Sequence, residues 1–389
     1  MRPTRAEIDL GAIKENVLLA VRVAGPATQV MAVVKSDAYG HGAVQVANAA
    51  LAAGATWLGV AIPEEAVALR EAGIQSRILV LGPIAPEQSD LVVEHGLDQC
   101  VSDPVQADAL DQAAKARGRV VSLHLKVDTG MGRVGLPPRE ASPAASHLAR
   151  LSAVRLAGLM THFADADAAD SDFPREQLAR FEEATRSIRA AGVAIPIRHA
   201  ANSAALLLYP ESRLDLVRPG IMLYGYHPRG SRGPGDPVLR QALRLRTAVT
   251  QVKDVSAGSS ISYGRAFVAP RDMRIATIPV GYADGLARLL SNRGQVLIGG
   301  SRVSIVGRVC MDMTMLDVTR LPSVRPSDEV VLIGRQGDDE ISADEIADLT
   351  GTISYEVLCR IGPRVPRLYQ TADVAGTSPS SLRRRDNTG

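Results

Sequence analysis

Lysine is the residue type in this sequence that is most informative about covalent chemistry, because a neutral lysine amine attacks aldehydes. The chain has 44 Lys and Arg residues, yet only five are lysines: Lys14, Lys35, Lys115, Lys126 and Lys253. Lys35 directly follows an apolar run and precedes a loop with Tyr39, Gly40, His41 and Gly42. A lysine at the end of a buried strand is desolvated, which lowers its pKa and frees the amine for attack. The alternative is an unreactive lysine at a strand end whose amine extends into solvent. The sequence on both sides of Lys35 favours a reactive lysine.

Other polar residues also follow apolar runs of the strand type. They are Lys126, Asp128 and Arg133 at the end of the fifth run and after it, His162 after the sixth, Asn202 and Ser203 after the seventh, and Arg218 with Gly220 after the eighth. In a barrel of parallel strands, the strand ends and the loops that follow them form the active site. We therefore expect these side chains to meet Lys35 at one end of the fold.

Two short segments suit a phosphate group. The segment RHAANS ends with Asn202 and Ser203 where a helix is expected to begin, and RPGI offers free backbone N–H groups at Gly220 and Ile221. Helix starts and glycine turns in these loops commonly bind phosphate in barrels. Ser203 taken alone is more typical of a helix N-cap, so this prediction depends on both segments together.

Eight short apolar runs, separated by helical patterns, are expected to position these residues. The runs are Val30–Val34, Trp57–Ala61, Ile78–Leu81, Gln99–Val101, Val120–Val127, Leu156–Met160, Ile197–Ala200 and Leu214–Val217. A helix over residues 9–24, with Asp9 as its N-cap, precedes them. This alternation is typical of an α/β fold with an N-terminal (β/α)8 TIM-type barrel. A doubly wound open sheet is the alternative.

The segment His227–Val238 is rich in Gly and Pro, which predicts a boundary between domains. After it the pattern changes to β-type runs, at Leu243–Val252, Arg274–Val280, Val303–Val309 and Glu329–Ile333, and to one helix at Ala343–Leu349 capped by Ser342. We predict a barrel domain over residues 1–236, a C-terminal mostly β domain over residues 237–370, and a disordered tail over residues 371–389.

The composition describes a globular protein without a charge bias toward one class of partner. The formal net charge is +2, with 46% hydrophobic and 22% charged residues, so neither nucleic acid nor a membrane is expected as a partner. The first twenty residues carry charges of both signs, unlike a signal peptide, and no run of about 18 apolar residues is present. The three cysteines, Cys100, Cys310 and Cys359, lack metal-ligand spacing. We expect a cytoplasmic protein that binds no metal.

Nine motifs, in order along the chain from Thr4 to about Leu368, resemble those of the alanine racemases. They are AVVKSDAYGHG, HLKVDTGMGRVG, THFADAD, ANS, VRPGIMLYG, ISYGR, PVGYADG, GRVCMDM and ISYEVLCRIGPRVPR. The resemblance implies the barrel and the C-terminal β domain, pyridoxal 5′-phosphate as the cofactor and alanine as the substrate. It also implies a homodimer whose active sites are shared between subunits, and a supply of D-alanine for peptidoglycan.

The resemblance implies a role for each matching residue. Lys35 is expected to carry the cofactor covalently and to be the base for D-alanine, and Tyr263, reaching in from the other subunit, is expected to be the base for L-alanine. The other cofactor-binding positions are Tyr39, His162, Asn202, Ser203, Arg218, Gly220, Ile221 and Tyr355, and the substrate-binding positions are Arg133 and Met311. Lys126, Tyr282 and Asp312 are expected to support the site, and Lys126 matches a lysine that is often carbamylated in this family.

The chemistry of racemisation suits these residue types. Two bases on opposite faces of the substrate remove the α-proton from one side and return it on the other. A tyrosine base works as the phenolate, which cationic neighbours favour, and Arg133, His162 and Arg218 are the candidates. Arg218 matches the residue that faces the pyridine nitrogen, and an arginine keeps its own proton and so leaves that nitrogen unprotonated. An arginine at this position favours a racemase over a decarboxylase of the same fold. Two alternatives remain, a broad-specificity amino-acid racemase and a non-catalytic cofactor-binding protein.

Overall fold

The computed structural model describes residues 2–168, 171–230 and 232–370. The described chain starts with strand β1 (Arg5–Asp9) and helix α1 (Leu10–Ala24). Asp9 caps this helix, since its carboxylate accepts a hydrogen bond from the backbone N–H of Ala12 at 2.9 Å. The helix predicted over residues 9–24 is therefore confirmed, and the predicted tail over residues 371–389 lies outside the described residues.

The predicted (β/α)8 barrel is confirmed. In the described ranges, eight parallel strands lie side by side: β2 (Gln29–Val33), β3 (Trp57–Val60), β4 (Arg77–Val80), β5 (Asp98–Val101), β6 (Val121–Lys126), β7 (Val154–Met160), β8 (Ile197–His199) and β9 (Leu216–Val217). Two backbone hydrogen bonds, from Asp215 to Arg198 and from Arg218 to Ala201, join the last two segments and complete the ring. Parallel strands place all their carboxyl ends at one end of a barrel, so the loops that carry the predicted site residues lie together.

Helices connect the barrel strands and cover them. They are α2 (Lys35–Gly40), α3 (Ala43–Ala52), α4 (Pro63–Glu71), α5 (Ser89–Glu94), α6 (Pro104–Ala116), α7 (Ala141–Leu148), α8 (Phe173–Ala190) and α9 (Ser203–Leu208). Pro63 and Pro104 occupy the first helical position, where the missing N–H of proline costs nothing. Across the described ranges, no helix has both the length and the apolar composition needed to cross a bilayer.

The rest of the described chain is mostly β-structure, as predicted. Its strands are β10 (Leu243–Ala248), β11 (Gln251–Val255), β12 (Ser260–Ile261), β13 (Phe267–Val268), β14 (Met273–Ile278), β15 (Gln295–Ile298), β16 (Ser301–Ser304), β17 (Thr314–Asp317), β18 (Glu329–Gln336), β19 (Asp339–Ile341) and β20 (Arg367–Gln370). Its helices are α10 (Ala343–Thr350) and α11 (Ser354–Cys359). Ser342 caps α10 by accepting the N–H of Glu345 at 3.0 Å, as the sequence predicts.

The first strand belongs to the sheet of the C-terminal part, which the sequence did not predict. The sheet has the order β16–β15–β18–β10–β1–β20, with β19 beside β18. β1 pairs antiparallel with β10 and parallel with β20, so Ala6 lies opposite both Leu245 and Arg367. The domain boundary at residue 237 stays a prediction. Residues 5–9 belong with the C-terminal sheet and not with the barrel.

Two predicted strands of the C-terminal part extend well beyond the observed strands. The run Leu243–Val252 is divided at Val249, because the chain passes there from the larger sheet to the smaller sheet β11–β14–β17. The run Val303–Val309 forms a strand only to Ser304, since Gly307 adopts a φ of 78° that an extended strand does not contain.

Asn16 joins helix α1 to two distant segments of the chain. Its side-chain amide donates hydrogen bonds to the carbonyl oxygens of Leu223 and Arg240, at 3.1 and 2.8 Å, and its oxygen accepts the N–H of Arg240 at 3.0 Å. Asn16 is buried, so water does not replace these bonds when the side chain is removed.

We therefore predict that Asn16→Ala lowers the free energy of unfolding by about 3 kcal/mol, because it leaves buried backbone groups without partners. Lys14→Ala, at an exposed position of the same helix, is the control and is expected to change it by less than about 0.5 kcal/mol. Urea unfolding of both variants measures the difference, and equal effects would contradict the role of Asn16.

Candidate active site

A cavity of about 800 Å³ opens at the carboxyl end of the barrel strands. Most of the residues predicted from the sequence line this cavity: Lys35, Tyr39, Lys126, Arg133, His162, Asn202, Ser203, Arg218, Gly220, Ile221 and Tyr355. Ligand sites for small cofactors typically have volumes of about 300–1,000 Å³. The structure therefore brings these side chains together around one space of suitable size.

The cavity carries an excess of positive charge. Its lining contains four cationic side chains, Lys35, Lys126, Arg133 and Arg218, and two acidic ones, Asp167 and Glu356. Such a lining attracts anions, and both a phosphate ester and an amino-acid carboxylate are anions. The charge of the site therefore suits the ligands that the sequence predicts.

Lys35 is half-buried and begins a turn with an unusual backbone. The four residues after it, Ser36, Asp37, Ala38 and Tyr39, have φ angles between 51° and 54° and form a left-handed helical turn. This conformation costs about 1–2 kcal/mol for each residue that has a Cβ atom. The turn aims the side chains of Lys35 and Tyr39 into the same cavity, and it exists only because surrounding contacts hold it.

His41 supplies two of these contacts. Its ring is fully buried, and its Nδ1–H donates to the carbonyl oxygens of Ala38 and Tyr39, at 3.1 and 3.0 Å. Burial lowers the pKa of His41 to about 4, so the ring is neutral. The ring also packs against Tyr224, with ring centres 4.6 Å apart. His41 therefore holds the backbone of the left-handed turn.

Further contacts hold the turn from both parts of the chain. The N–H of Ser36 donates to Glu65 at 2.5 Å, and the N–H of Ala43 donates to Asp37 at 2.7 Å. Gly40 lies so close to α11 that a Cβ atom there would be 2.5 Å from the carbonyl oxygen of Leu358. This close approach brings Tyr355, on the same helix, within 5.9 Å of the ring centre of Tyr39.

The predicted phosphate-binding residues share one wall of the cavity. Ser203 accepts the N–H of Gly220 at 2.8 Å, and Asn202 caps α9 by accepting the N–H of Ala205 at 3.0 Å. A Cβ atom at position 220 would lie 2.6 Å from the hydroxyl of Tyr39, so glycine allows this hydroxyl to approach the backbone. The wall thus combines hydroxyl groups and a short helix start, whereas the N–H of Gly220, which the sequence predicted to be free, is bonded to Ser203.

Arg218 is buried on another side of the cavity and is fixed by several bonds. It donates to the carbonyl oxygens of Thr161 and Ala200, at 2.7 and 2.9 Å, and to Nδ1 of His199 at 3.0 Å. Burial lowers the pKa of Arg218 to about 10, so it stays protonated at neutral pH. A longer contact, of 3.4 Å, joins Arg218 to Nδ1 of His162.

Burial and neighbouring positive charge lower the pKa of both lysines in the cavity. The pKa of Lys35 is lowered mainly by burial and next by the charge of Arg133. The pKa of Lys126 is lowered mainly by burial, with Arg218 and Arg133 as additional causes. Both effects favour the neutral amine, which is the form that attacks electrophilic carbon.

Two of the three candidate cations for a tyrosine base carry charge. Burial, Arg218 and Arg133 lower the pKa of His162 well below its usual value, so this ring is neutral and cannot be a source of positive charge. Arg133 lies at the end of a loop that Asp128 stabilises. The carboxylate of Asp128 accepts hydrogen bonds from the backbone N–H groups of Gly130 and Gly132, at 2.9 and 3.1 Å. Of the three candidates, Arg133 and Arg218 therefore remain as cations that face the cavity.

The remaining predicted residues do not line this cavity. Tyr263, Tyr282, Met311 and Asp312 lie on the surface of the C-terminal part, and Tyr263 is 72% exposed. Hydrogen bonds join their loops: Tyr282 and Ala283 donate to the carbonyl oxygens of Cys310 and Met311, and Ser262 donates to that of Arg308. These residues therefore form one exposed surface, which we call the Tyr263 surface.

The sequence missed the polar residues that stand behind the cavity. His199, His124 and Asp98 are buried in the barrel, and His199 contacts Arg218 directly. A signal was present, since polar residues inside buried strands are uncommon. His124 and His199 lie within two of the predicted apolar runs and Asp98 directly precedes a third, so all three were interpreted only as parts of buried strands.

Comparison with known proteins identifies related families and structures. Residues 8–228 match the family described as alanine racemase, N-terminal domain, and residues 242–369 match alanine racemase, C-terminal domain. An alanine racemase of Symbiobacterium thermophilum is 50% identical over 95% of this chain and 97% of its own length. The crystal structure of alanine racemase from Streptomyces lavendulae is also similar, with a TM-score of 0.89 and 40% identity over 96% of this chain and 98% of that one. The crystal structure of alanine racemase from Bacillus anthracis with bound L-Ala-P has a TM-score of 0.91 and 39% identity over 96% of each chain.

The strained turn gives a stability prediction with a matched control. Ala38, in the left-handed turn, and Ala47, in the regular helix α3, are both fully buried, so replacement by glycine removes the same methyl group. Glycine relieves the left-handed strain at position 38 and weakens a helix at position 47. We predict that Ala38→Gly is less destabilising than Ala47→Gly by about 2 kcal/mol in urea unfolding. If Ala38→Gly lowered the free energy of unfolding as much as Ala47→Gly or more, the proposed strain at position 38 would be contradicted.

The lowered pKa of Lys35 predicts how the capture of an aldehyde by this amine depends on pH. The charged amine is unreactive, so the rate of aldehyde capture should rise with pH and reach half its maximum below the ordinary lysine value of about 10.4. Stopped-flow absorbance after mixing cofactor-free protein with pyridoxal phosphate measures this rate, with Nα-acetyl-lysine amide as the reference amine. A midpoint equal to that of the reference would contradict the proposed environment of Lys35.

Proposed function

We infer that this chain, which belongs to the alanine racemase family, interconverts L-alanine and D-alanine with Lys35 and Tyr263 as opposed bases. The observation that carries this inference is the convergence of six of the nine family motifs on one cavity that contains Lys35 and is lined by several basic side chains. The product, D-alanine, is proposed to serve peptidoglycan synthesis.

The residues present fit pyridoxal 5′-phosphate. Lys35 offers an amine for the aldehyde, the wall of Tyr39, Ser203 and Gly220 suits the phosphate, and Arg218 provides a donor for the ring nitrogen. The cavity of about 800 Å³ leaves room for an amino acid beside the cofactor. When bound, pyridoxal phosphate supplies an electron-withdrawing ring that accepts negative charge as the α-proton leaves.

The residues of the chain then divide the remaining work. Lys35, released as a neutral amine, takes or returns the α-proton on one face of the substrate, and Tyr263 does so on the other. Arg133 is proposed to hold the substrate carboxylate together with the backbone N–H of Met311. Arg218, which keeps its own proton, is proposed to donate to the ring nitrogen without protonating it.

We propose that Lys126 reacts with carbon dioxide to give a carbamate, with release of a proton. Lys126 is buried and its pKa is lowered, so the neutral amine that this reaction needs is accessible. The product carries a negative charge close to Arg133, whose charge acts on Lys126 in the present structure. A carbamate would therefore balance part of the positive charge and fix the position of Arg133.

We propose that the chain works as a homodimer in which the Tyr263 surface of each copy completes the cavity of the other. Tyr263, Met311 and Tyr282 are large apolar side chains, and each is more than 40% exposed. Exposed apolar groups gathered on one surface are typical of a site that another protein covers. This arrangement would explain why the predicted second base is outside the cavity of its own chain.

We also propose a reducing, cytoplasmic setting. All three cysteines of the chain are free thiols, and Cys100 is buried. A reducing compartment keeps such thiols from oxidation.

Racemase activity and its breadth are tested by chiral analysis of products. Protein loaded with pyridoxal phosphate is incubated separately with L-alanine, L-serine and L-lysine, and the D-forms are quantified. We expect D-alanine to form much faster than the other two products. Comparable rates for all three would favour a broad-specificity racemase, and no D-product with bound cofactor would favour a non-catalytic binder.

The role of Tyr263 is tested by Tyr263→Phe. Since this residue is proposed to move a proton and not to hold the cofactor, the variant should keep the absorbance of bound pyridoxal phosphate. Loss of a positioned acid or base typically lowers a rate by about 10²–10⁴-fold, and we expect a fall of this size in both directions of the reaction. Full activity would contradict the assignment of the second base.

A further inference from the structure

A line of buried polar side chains extends from Arg218 away from the cavity and through the interior of the barrel. It contains His199 on β8, His124 on β6 and Asp98 on β5. Arg218 follows the carboxyl end of β9, whereas Asp98 is the first residue of β5, so the line crosses the barrel from one end to the other. The proposed reaction gives none of these three residues a role.

The hydrogen bonds along this line have one consistent direction. Nη1 of Arg218 lies 3.0 Å from Nδ1 of His199, and Nε2 of His199 lies 2.8 Å from Nδ1 of His124. A guanidinium only donates hydrogen bonds, so Nδ1 of His199 accepts and the proton of this ring is on Nε2. Nε2 of His199 then donates to Nδ1 of His124, whose own proton must therefore be on Nε2.

The line ends on a carboxylate at the far end of the barrel. Nε2 of His124 lies 3.5 Å from Oδ2 of Asp98, an electrostatic contact that is long for a hydrogen bond. The same oxygen accepts a hydrogen bond from Arg77 at 2.5 Å, and the Arg77 guanidinium stacks 3.7 Å above the ring centre of Trp57. Burial lowers the pKa of both imidazoles, so each ring is neutral and has one N–H to donate.

The barrel is shaped to hold the two rings in this arrangement. Their centres are 5.0 Å apart and they meet edge to face. Gly158, on the neighbouring strand β7, makes room for one of them, since a Cβ atom there would lie 2.4 Å from Nδ1 of His124. Trp57 packs edge-on against the other side of His124, with ring centres 5.4 Å apart.

We propose that His199, His124 and Asp98 form a relay, the histidine relay, in which two hydrogen bonds and one electrostatic contact hold Arg218 protonated and orient its free N–H toward the cavity. A buried cation is costly when no anion balances it. In residues 2–168, 171–230 and 232–370, no carboxylate contacts the Arg218 guanidinium directly. The relay transmits the effect of the Asp98 charge through two neutral imidazoles, because hydrogen bonds in series polarise one another. Its three members are positioning residues that act through Arg218.

The consequence for the reaction rests on the proposed function, in which Arg218 faces the ring nitrogen of the cofactor. A protonated and fixed Arg218 keeps that nitrogen unprotonated, which limits how much negative charge the ring stabilises. A weakened relay should relax this control. We then expect more of the side reaction in which the amino group of alanine moves to the cofactor, giving pyruvate and pyridoxamine phosphate.

The positions of the two imidazole protons test the relay without any measurement of activity. The full-length protein, loaded with pyridoxal phosphate, is labelled with ¹⁵N-histidine, and its ring signals are assigned by their loss in His124→Asn and His199→Asn. We expect the proton on Nε2 in both rings. A proton on Nδ1 of either ring, or a doubly protonated ring, would overturn the relay whether or not the protein racemises alanine.

Two substitutions at position 124 test its effect on the reaction. The amide oxygen of His124→Asn can replace Nδ1 as the acceptor of the His199 proton, whereas His124→Leu offers no acceptor. We expect His124→Leu to raise the pyruvate formed per racemisation turnover about tenfold, and His124→Asn to raise it less. An unchanged ratio in a folded, cofactor-loaded His124→Leu protein would contradict the proposal.

Leu79→Ala is the matched control for packing. Leu79 is buried in the same apolar cluster as Trp57 but makes no polar contact. This variant should lower the melting temperature and leave both tautomers and the pyruvate ratio unchanged. If it raised the ratio as much as His124→Leu does, the effect would belong to packing, and the relay would be wrong.

Asp98→Asn tests the end of the relay with little change in shape. Its amide oxygen still faces the N–H of His124, but the negative charge is gone. We expect an upfield shift of the Nε2 proton of His124 and a rise in the pyruvate ratio smaller than that of His124→Leu. An unchanged proton shift would remove Asp98 from the relay.

Discussion

Positive charge gathered in a half-buried cavity is the constraint on which this active site depends. Burial lowers the pKa of Lys35 and Lys126, and the charge of Arg133 lowers both further. The neutral amine of both lysines is thereby more accessible, and the guanidinium groups of Arg133 and Arg218 offer charged donors to anionic ligands. One electrostatic arrangement therefore prepares the amine that captures an aldehyde and favours ligands with phosphate and carboxylate groups.

Such an arrangement is unstable unless the backbone and the buried polar groups hold it. The left-handed turn after Lys35 stores roughly 4–8 kcal/mol of backbone strain over its four residues. His41, Glu65 and the approach of α11 to Gly40 hold this turn in place. On the opposite side, Arg218 is fixed by backbone carbonyl oxygens and by His199. These contacts offset the free-energy cost of the strained turn and of the buried guanidinium, and so keep the charged groups in place.

The barrel and its active end were predictable because their signals are local. Buried parallel strands read as short apolar runs, and polar residues such as Lys35 and Arg218 stand where those runs end. The pairing of β1 with β10 and β20 was not predictable, since it joins segments hundreds of residues apart without a pattern of its own. The left-handed turn contains no glycine at its four strained positions, so no residue preference signals it. His124 was detectable, because it lies two residues before Lys126 and therefore on the same face of β6, but that run was interpreted only as an apolar strand.

The claim that one active site is built from two copies of the chain is tested most directly by mixing two inactive variants. Lys35→Ala and Tyr263→Phe chains, carrying different affinity tags, are co-expressed, and the mixed dimers are isolated by both tags and loaded with pyridoxal phosphate. If Tyr263 completes the cavity of the other copy, each mixed dimer contains one intact site and one with both defects, and D-alanine formation should return while either homodimer stays inactive. Verified mixed dimers without activity would contradict a site shared across the interface.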